Sequence, residues 1–278
     1  MLIDVHAHFY TDRSPRADWT DRNRSRLEAG KKIGITAHVA SILGTWGARS
    51  PVYFPSPDDA VHGNDGMAAL MRGHPGLVFG YCVVNPNYTD HALAEIARRM
   101  ADGFIGIKLA ASRRADDSLL DPIAEAAVTH GVPILHHVWQ HRRRDWPGQE
   151  ASDAAELAAL AGRHPQARFI LAHLAGGGDW QHSLRVLRDV PNVWVDLSGS
   201  GMDTGMVETA LEAVGAGRLL WGADITLDTA WARLRHLESL GLPNADLAAI
   251  RHGNAEAIFP RGTFTERGGA ERRAPGVE

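Results

Sequence analysis

Eight short apolar runs alternate along the chain with longer stretches that have the periodicity of amphipathic helices. The predicted strands are residues 2–6, 35–43, 77–84, 103–110, 132–138, 168–174, 193–199 and 219–225. Apolar residues three and four apart mark the helical stretches, which include "DHALAEIARRMAD", "DPIAEAAVTHG", "ASDAAELAALAGRH" and "DTGMVETALEAVGAG". Strands that alternate with helices form right-handed βαβ units, so the pattern predicts a parallel sheet covered by helices.

The number of these units indicates how the sheet is arranged. Eight βα units in a chain of 278 residues predict an α/β fold with a single-domain (β/α)₈ TIM barrel, which typically needs about 250 residues. An open, doubly wound sheet is the alternative, but no Gly-x-Gly-x-x-Gly turn follows the first strand. We expect the barrel to span residues 1–260. Residues 261–278 are rich in glycine, proline and charge, which predicts a flexible carboxyl-terminal tail.

Composition limits the classes of partner. The net charge is −4 and no basic stripe is present, which argues against a nucleic-acid partner. Cys82 is the single cysteine, so no internal disulfide can form and a reducing cytoplasm is the expected location. No leader precedes the first strand and no apolar run approaches the ~20 residues that span a bilayer. We therefore expect a soluble protein with a small-molecule substrate, and homo-oligomerisation is left open.

Titratable residues collect at the carboxyl-terminal ends of the predicted strands. In a parallel barrel these ends meet at one rim, where active sites are built. The residues concerned are His6, His8, Lys108, His136, His137, His173 and Asp224. Four independent strands therefore bring imidazoles and a carboxylate to one rim, which indicates a functional site more strongly than any single motif does.

The pair His6 and His8 suggests metal binding. Residues i and i+2 of a strand share a face, so both imidazoles can reach one ion. With a strand-five histidine and Asp224 they would form a zinc site that keeps a position for water. The ion would activate that water, Asp224 could accept its proton, and His173 could donate to an oxyanion or a leaving group.

Adjacent histidines of strand five cannot both face the barrel interior, because neighbouring side chains of a strand point to opposite faces. Alternation alone does not decide between His136 and His137. The inner one would bind the metal, and the other would lie between barrel and helices, where it needs a hydrogen-bond partner.

The ordered motifs resemble a known family. "DVHAH", "PILHHVW", "ILAHLAGG", "VWVDLSGSG" and "LLWGADI" follow one another along nearly the whole chain. They are similar to the amidohydrolase superfamily, and to its amidohydrolase-related group, which includes aminocarboxymuconate-semialdehyde decarboxylase, resorcylate-type decarboxylases and dicarboxylate lactonases. The resemblance implies a TIM barrel with one divalent metal ion, most often zinc. It implies that His6, His8, His137 and Asp224 bind the metal, and that His173 is the strand-six histidine.

Two further residues are candidates for lining the substrate pocket. Lys108 lies in "GIKLA"; in binuclear members of the superfamily a carbamylated lysine of strand four bridges two metals, but Ala110 stands here where a related motif has histidine. Trp139 shares the face of His137.

Asp4, two residues before His6, should share its face, either as a hydrogen-bond acceptor behind the metal or as a buried carboxylate. Asp196 and Ser198 of strand seven face the same way, but the sequence assigns them no role.

Three functions are compatible with this site. We first expect hydrolysis of an ester, lactone or amide by metal-activated water, because little of the chain lies outside the barrel. The alternative is non-oxidative decarboxylation of a carboxylated, hydroxylated substrate, and a non-catalytic metal-binding barrel is the third.

The run "HRRRDW" after strand five is a solvated face or a site that recognises a substrate carboxylate.

Overall fold

The computed structural model describes residues 1–265 except 15, 44–54, 111, 139–151, 177–178 and 202. Eight strands form one parallel sheet in the order β1 to β8, with every strand beside its neighbour in sequence. The strands are β1 Ile3–His8, β2 Ala37–Ser41, β3 Val78–Val84, β4 Gly106–Leu109, β5 Ile134–His137, β6 Phe169–Ala172, β7 Val193–Asp196 and β8 Leu219–Leu220.

Helices follow the strands around the outside of the sheet. They are α1 Trp19–Ile33, α2 Pro57–Gly73, α3 Thr89–Ala101, α4 Asp121–His130, α5 Ala154–Arg163, α6 Trp180–Leu187, α7 Met206–Val214, α8 Leu227–Ser239, α9 Asn244–Ala248 and α10 Asn254–Ile258. A π-helical turn, Ala249–Gly253, joins the last two. This alternation confirms the predicted (β/α)₈ barrel.

Local sequence signals account for several helix starts. Ser56 caps α2 and exchanges hydrogen bonds with Asp59, while Pro57 occupies the first turn. Asp153 and Glu156 form the same reciprocal arrangement at the start of α5. Such boxes satisfy backbone N–H groups that have no partner within the helix.

The barrel closes between β8 and β1 through a few contacts. The ladder of β8 ends at Leu220, opposite Asp196 of β7. Beyond it, the Val5 N–H donates to the Trp221 carbonyl over 3.2 Å, and Asp224 forms an isolated parallel bridge with Ala7. Strand eight, predicted over 219–225, is therefore much shorter, because its second half meets β1 at single points.

Apolar side chains fill the barrel at the end opposite the strand carboxyl termini. Ile3, Val5 and Tyr81 point inward and pack with side chains of the carboxyl-terminal segment, including Ile258 and Phe259. The Tyr81 hydroxyl donates to the Val5 carbonyl over 2.7 Å. This packed layer supports the polar residues that lie above it.

The chain stays in contact with the barrel beyond residue 260. Phe264 is only 8% exposed. Its ring lies 5.2 Å from that of Phe79 and 5.5 Å from that of Phe259, centroid to centroid. The sequence-based expectation of a flexible tail from 261 did not include this aromatic contact, because it rested on glycine, proline and charge. The division into a barrel over 1–260 and a tail over 261–278 otherwise stays a prediction.

Among the helices that the structure describes, none combines the length and the hydropathy needed to cross a bilayer.

Candidate metal centre

His6, His8 and Asp224 bring two imidazoles and a carboxylate together at the carboxyl-terminal end of the barrel. Their ligand-type atoms all lie within 4.8 Å of one another. Nε2 of His6 is 3.1 Å from Nε2 of His8, and Oδ1 of Asp224 is 3.3 Å from Nε2 of His8. Among the described residues, these three side chains form the one group whose ligand-type atoms lie close enough together to hold a metal ion.

A bulge in β1 sets which of its side chains face this site. Between Asp4 and Ala7 the register against β2 shifts, so three steps along β1 match two along β2. As a result Val5 packs inside the barrel and His6 also points inward. Strict alternation would have turned His6 away from the interior.

The bulge also corrects the expectation for Asp4. We expected it to share the face of His6, which is wrong: its carboxylate lies on the helix side of the barrel wall, 3.2 Å from the guanidinium of Arg26 on α1. Asp4 is fully buried and accepts hydrogen bonds from the backbone N–H groups of His6 and Ala223, so it is both a buried carboxylate and an acceptor behind the ligands.

The imidazole of His6 is oriented by Asp196 and Ser198, the residues to which the sequence assigned no role. Nδ1 of His6 donates to Oδ2 of Asp196 over 2.7 Å, and the Ser198 hydroxyl donates to the same oxygen. With its Nδ1 proton engaged, His6 presents Nε2 as a free-base nitrogen towards His8 and Asp224. A carboxylate behind a histidine in this way is typical of metal ligands. Burial raises the pKa of Asp196 to about 7.

A signal for Asp196 existed in the sequence. It is the last residue of β7 and so lies at the functional rim, and Ser198 follows on the same side. What the sequence could not provide was the partner, which lies 190 positions away along the chain.

Gly222 has no side chain, which leaves space for the contact between Asp196 and His6. A Cβ atom added there would lie 2.5 Å from Oδ1 of Asp196 and 3.1 Å from Cβ of His6. We expect Gly222→Ala to displace the carboxylate from the imidazole, weakening metal binding about 10–100-fold, as loss of such partners does. Gly217→Ala is the control, because nothing lies within 4 Å of its added Cβ. Metal titration of both variants is the measurement, and equal affinities would contradict the role given to Gly222.

His8 and Asp224 complete the group. They lie on opposite sides of the point where β1 and the end of β8 close the barrel. Nδ1 of His8 lies 3.2 Å from the hydroxyl of Ser41 on β2. The backbone N–H of Asp224 donates to the His6 carbonyl over 2.6 Å, and its φ of +53° lies in the left-handed region. Non-glycine residues adopt that region rarely, and asparagine and aspartate most readily.

The charge states suit metal binding. Burial lowers the pKa of His6 and of His8, so both imidazoles are neutral and can donate nitrogen lone pairs. Burial acts to raise the pKa of Asp224, but His173, His8 and His6 outweigh it and hold that pKa well below its ordinary value. The donor set is therefore two neutral nitrogens and one ionised oxygen.

His173, just beyond β6, contacts the carboxylate from its other side. Its Nε2 is 3.3 Å from Oδ2 of Asp224, and its ring stacks on that of His6 with centroids 5.5 Å apart. Burial lowers the pKa of His173 to about 4, against the opposing charge of Asp224. The predicted catalytic residues Asp224 and His173 thus form a direct pair.

The two strand-five histidines point to opposite faces. Leu135 belongs to the interior core, and His137, two residues further along the strand, is on the same inner face. The ring of His137 meets that of His173 edge-on, with centroids 4.9 Å apart. His136 lies in the barrel–helix layer, with Nε2 3.4 Å from the Ser152 hydroxyl. Burial lowers the pKa of His136 to about 3. His137 borders the three-donor group without belonging to it, so its role as a fourth ligand stays a prediction.

Lys108 reaches the same cluster from β4. It is fully buried, and its Nζ lies 3.2 Å from Nε2 of His6. Burial lowers its pKa to about 8, although Asp224 and Asp196 act in the opposite direction. Lys108 is thus a direct neighbour of the metal-type ligands, whereas the sequence indicated a pocket-lining residue and argued against a metal-bridging role. Trp139 and the run 141–146 lie outside the described residues.

Comparison with known proteins supports the family resemblance. The model of the family described as amidohydrolase matches residues 3–261. No curated protein matches this sequence closely enough to count as a relative.

Several solved structures share the fold. 2,6-Dihydroxybenzoate decarboxylase from Rhizobium aligns with a TM-score of 0.70 at 17% identity, over 92% of this chain and 98% of its own. 5-Carboxyvanillate decarboxylase from Sphingomonas paucimobilis aligns with a TM-score of 0.70 at 17% identity, over 93% and 98%. A dihydroxybenzoic acid decarboxylase from a Polaromonas species, with bound manganese and 2-nitroresorcinol, gives 0.70 at 17% identity, over 92% and 96%.

At these identities the solved structures establish the fold alone, whereas the family model covers the barrel from its first strand to beyond its last helix. With residues 3–261 of 278 matched, the chain belongs to the amidohydrolase family of enzymes.

Proposed function

We propose that this enzyme is a metal-dependent decarboxylase that removes carbon dioxide from a small, hydroxylated aromatic carboxylic acid. The observation that carries the proposal is the contact of Asp224 with metal-type ligands on one side and with His173 on the other. Solved structures of the same fold and nearly the same length act, by their descriptions, on 2,6-dihydroxybenzoate and 5-carboxyvanillate. This likeness supports decarboxylation over the hydrolysis that we first expected from the sequence.

The donor set fits a divalent ion. His6 and His8 offer neutral imidazole nitrogens and Asp224 an oxygen, with His137 proposed as the fourth ligand. Nitrogen and carboxylate donors suit zinc and also manganese, so they do not choose between the two. The zinc predicted from the sequence is not confirmed, and the similar Polaromonas structure contains manganese. A bound ion would act as a Lewis acid that orients and polarises the substrate oxygens.

We expect one divalent ion per chain. Among the residues that the structure describes, the donors form a single group, and Ala110 stands where a strand-four histidine would support a second ion. Elemental analysis of protein purified without added metal is the measurement. A reproducible ratio near two, together with a carbamylated Lys108 in the mass spectrum, would contradict a mononuclear site.

Asp224 and His173 would provide the proton transfer. The ionised carboxylate can take the proton of a substrate hydroxyl group and, with His173 as hydrogen-bond partner, deliver it to the ring carbon that bears the carboxylate. The carbon–carbon bond to the carboxylate then breaks, its electron pair returns to the ring and restores the aromatic phenolate, and carbon dioxide leaves. The substrate oxygen that lost its proton regains one from water.

A two-part substrate panel tests the proposal. Purified protein loaded with Mn²⁺ or Zn²⁺ is incubated with hydroxybenzoates, vanillate-type acids, lactones and esters, while carbon dioxide and new acid are measured separately. We expect carbon dioxide from a hydroxylated aromatic acid, formed about 10²–10⁴-fold more slowly by the Asp224→Asn variant. Acid released from lactones or esters would establish hydrolysis instead, and inertness throughout would favour a non-catalytic metal-binding barrel.

The cytoplasmic location and homo-oligomerisation are not decided by the fold. The location stays a prediction from the sequence, as does the absence of a nucleic-acid partner, and homo-oligomerisation stays open.

A further inference from the structure

An ion pair lies on the helix side of the barrel wall, directly behind the metal-type ligands. Asp4 of β1 is fully buried and Arg26 of α1 is 8% exposed. Nη2 of Arg26 lies 3.2 Å from Oδ2 of Asp4, and Nδ1 of His38 lies 3.0 Å from the same oxygen.

The carboxylate of Asp4 connects two segments that carry ligands, β1 and the segment that follows β8. Its Oδ1 accepts a hydrogen bond from the backbone N–H of His6 over 3.2 Å. The same oxygen accepts one from the N–H of Ala223 over 2.8 Å. Ala223 immediately precedes Asp224, so one oxygen holds a ligand of β1 and the neighbour of the ligand beyond β8.

The guanidinium of Arg26 contacts the residues that follow Asp224 and His8 in the sequence. Its Nη1 donates to the carbonyl of Ile225, the residue after Asp224, over 3.2 Å. Its Cζ lies 5.8 Å from the ring centroid of Phe9, the residue after His8. The ion pair therefore contacts His6 itself, the residue after His8, and the residues on both sides of Asp224.

Asp224 needs such support more than the other ligands do. The ladder of β8 ends four residues earlier, and Asp224 itself contacts β1 through one bridge. Its backbone also has a φ of +53°, a conformation that persists only where the surroundings impose it. We propose that the Asp4–Arg26 ion pair is a positioning device that holds Asp224 and His6 in their metal-binding geometry.

The alternative is that this pair only stabilises the fold, and the chain offers a matched control for that case. Arg99 of α3 is also buried and pairs with Glu95 over 2.6 Å and with Asp65 over 2.6 Å. Its other contacts are with the Val61 carbonyl, Asp102 and the ring of Phe104, none of which neighbours a ligand. Loss of Arg99 should therefore lower stability without altering the metal site.

The test compares Arg26→Gln, Arg26→Lys and Arg99→Gln in the full-length protein. Each metal-free protein is first melted, and then titrated with Mn²⁺ to obtain Kd; Co²⁺-loaded samples give visible spectra that report ligand geometry. We expect Arg26→Gln to raise Kd by about 10–100-fold, the range seen when groups behind metal ligands are lost. Arg26→Lys keeps the positive charge beside Asp4 and should give an intermediate Kd. Arg99→Gln should lower the melting temperature while its Kd and Co²⁺ spectrum match the wild type.

The proposal rests on the metal site proposed above, and the outcomes separate the two. Wild-type protein that binds no divalent ion would overturn both. A wild type that binds Mn²⁺ while Arg26→Gln binds it equally tightly would overturn the positioning role alone. A Kd for Arg99→Gln that rises as much as that for Arg26→Gln would also overturn it, since the effect would then follow stability. Should Arg26→Gln fail to fold, Arg26→Lys carries the same comparison, with an unchanged Kd counting against the proposal.

Discussion

Asp224→Asn should lower turnover by about 10²–10⁴-fold while the barrel stays folded. The amide has nearly the shape of the carboxylate, and the backbone bond from residue 224 to the His6 carbonyl does not depend on the side chain. The amide, however, carries no negative charge for a metal ion and cannot accept a proton. Both functions proposed for Asp224 would be lost together.

The measurement pairs turnover at saturating metal with a thermal melt of the same sample. Asp228→Asn is the matched control, because Asp228 is an exposed aspartate in the first turn of α8, close in sequence to Asp224. Turnover near that of the wild type in Asp224→Asn would remove this residue from the mechanism. A melt that collapses only in Asp224→Asn would show that the carboxylate is needed for folding.

His137→Ala should yield protein that retains little metal, whereas His136→Ala should retain it. His137 is on the inner face of β5 and its ring meets that of His173. We therefore expect it to act as the fourth ligand of an ion held by His6, His8 and Asp224. His136 is 1% exposed in the barrel–helix layer, where its truncation should cost about 1–3 kcal/mol of stability. The two residues are adjacent, so each variant controls for the other.

Metal content and melting temperature of the two purified proteins are the readouts. An empty His136→Ala together with a loaded His137→Ala would mean that the inner ligand of β5 had been misassigned. Full metal content in both variants would leave His6, His8 and Asp224 as the complete set of protein ligands, which is the group that the geometry brings together.

The barrel and the place of its site were determined by the sequence. The periodicity of strands and helices is a local property, and the parallel order of βα units follows from it. Parallel order in turn brings every strand carboxyl terminus to one rim, so His6, His8, His173 and Asp224 could be assigned to one site before any contact was known. The opposite orientations of His136 and His137 also followed from alternation along a regular strand.

The tertiary structure decided the pairings behind that site. The bulge in β1 changes the face of every side chain beyond it, and no periodicity reveals where a strand takes an extra residue. It turns His6 and His8 towards the interior, whereas Asp4, which precedes it, faces the helices and Arg26. The carboxylate that orients His6 comes from Asp196, 190 positions away, and Asp224 reaches its partners only after β8 has ended. Such contacts depend on the closure of the whole barrel, whereas a sequence pattern records only what neighbours along the chain impose.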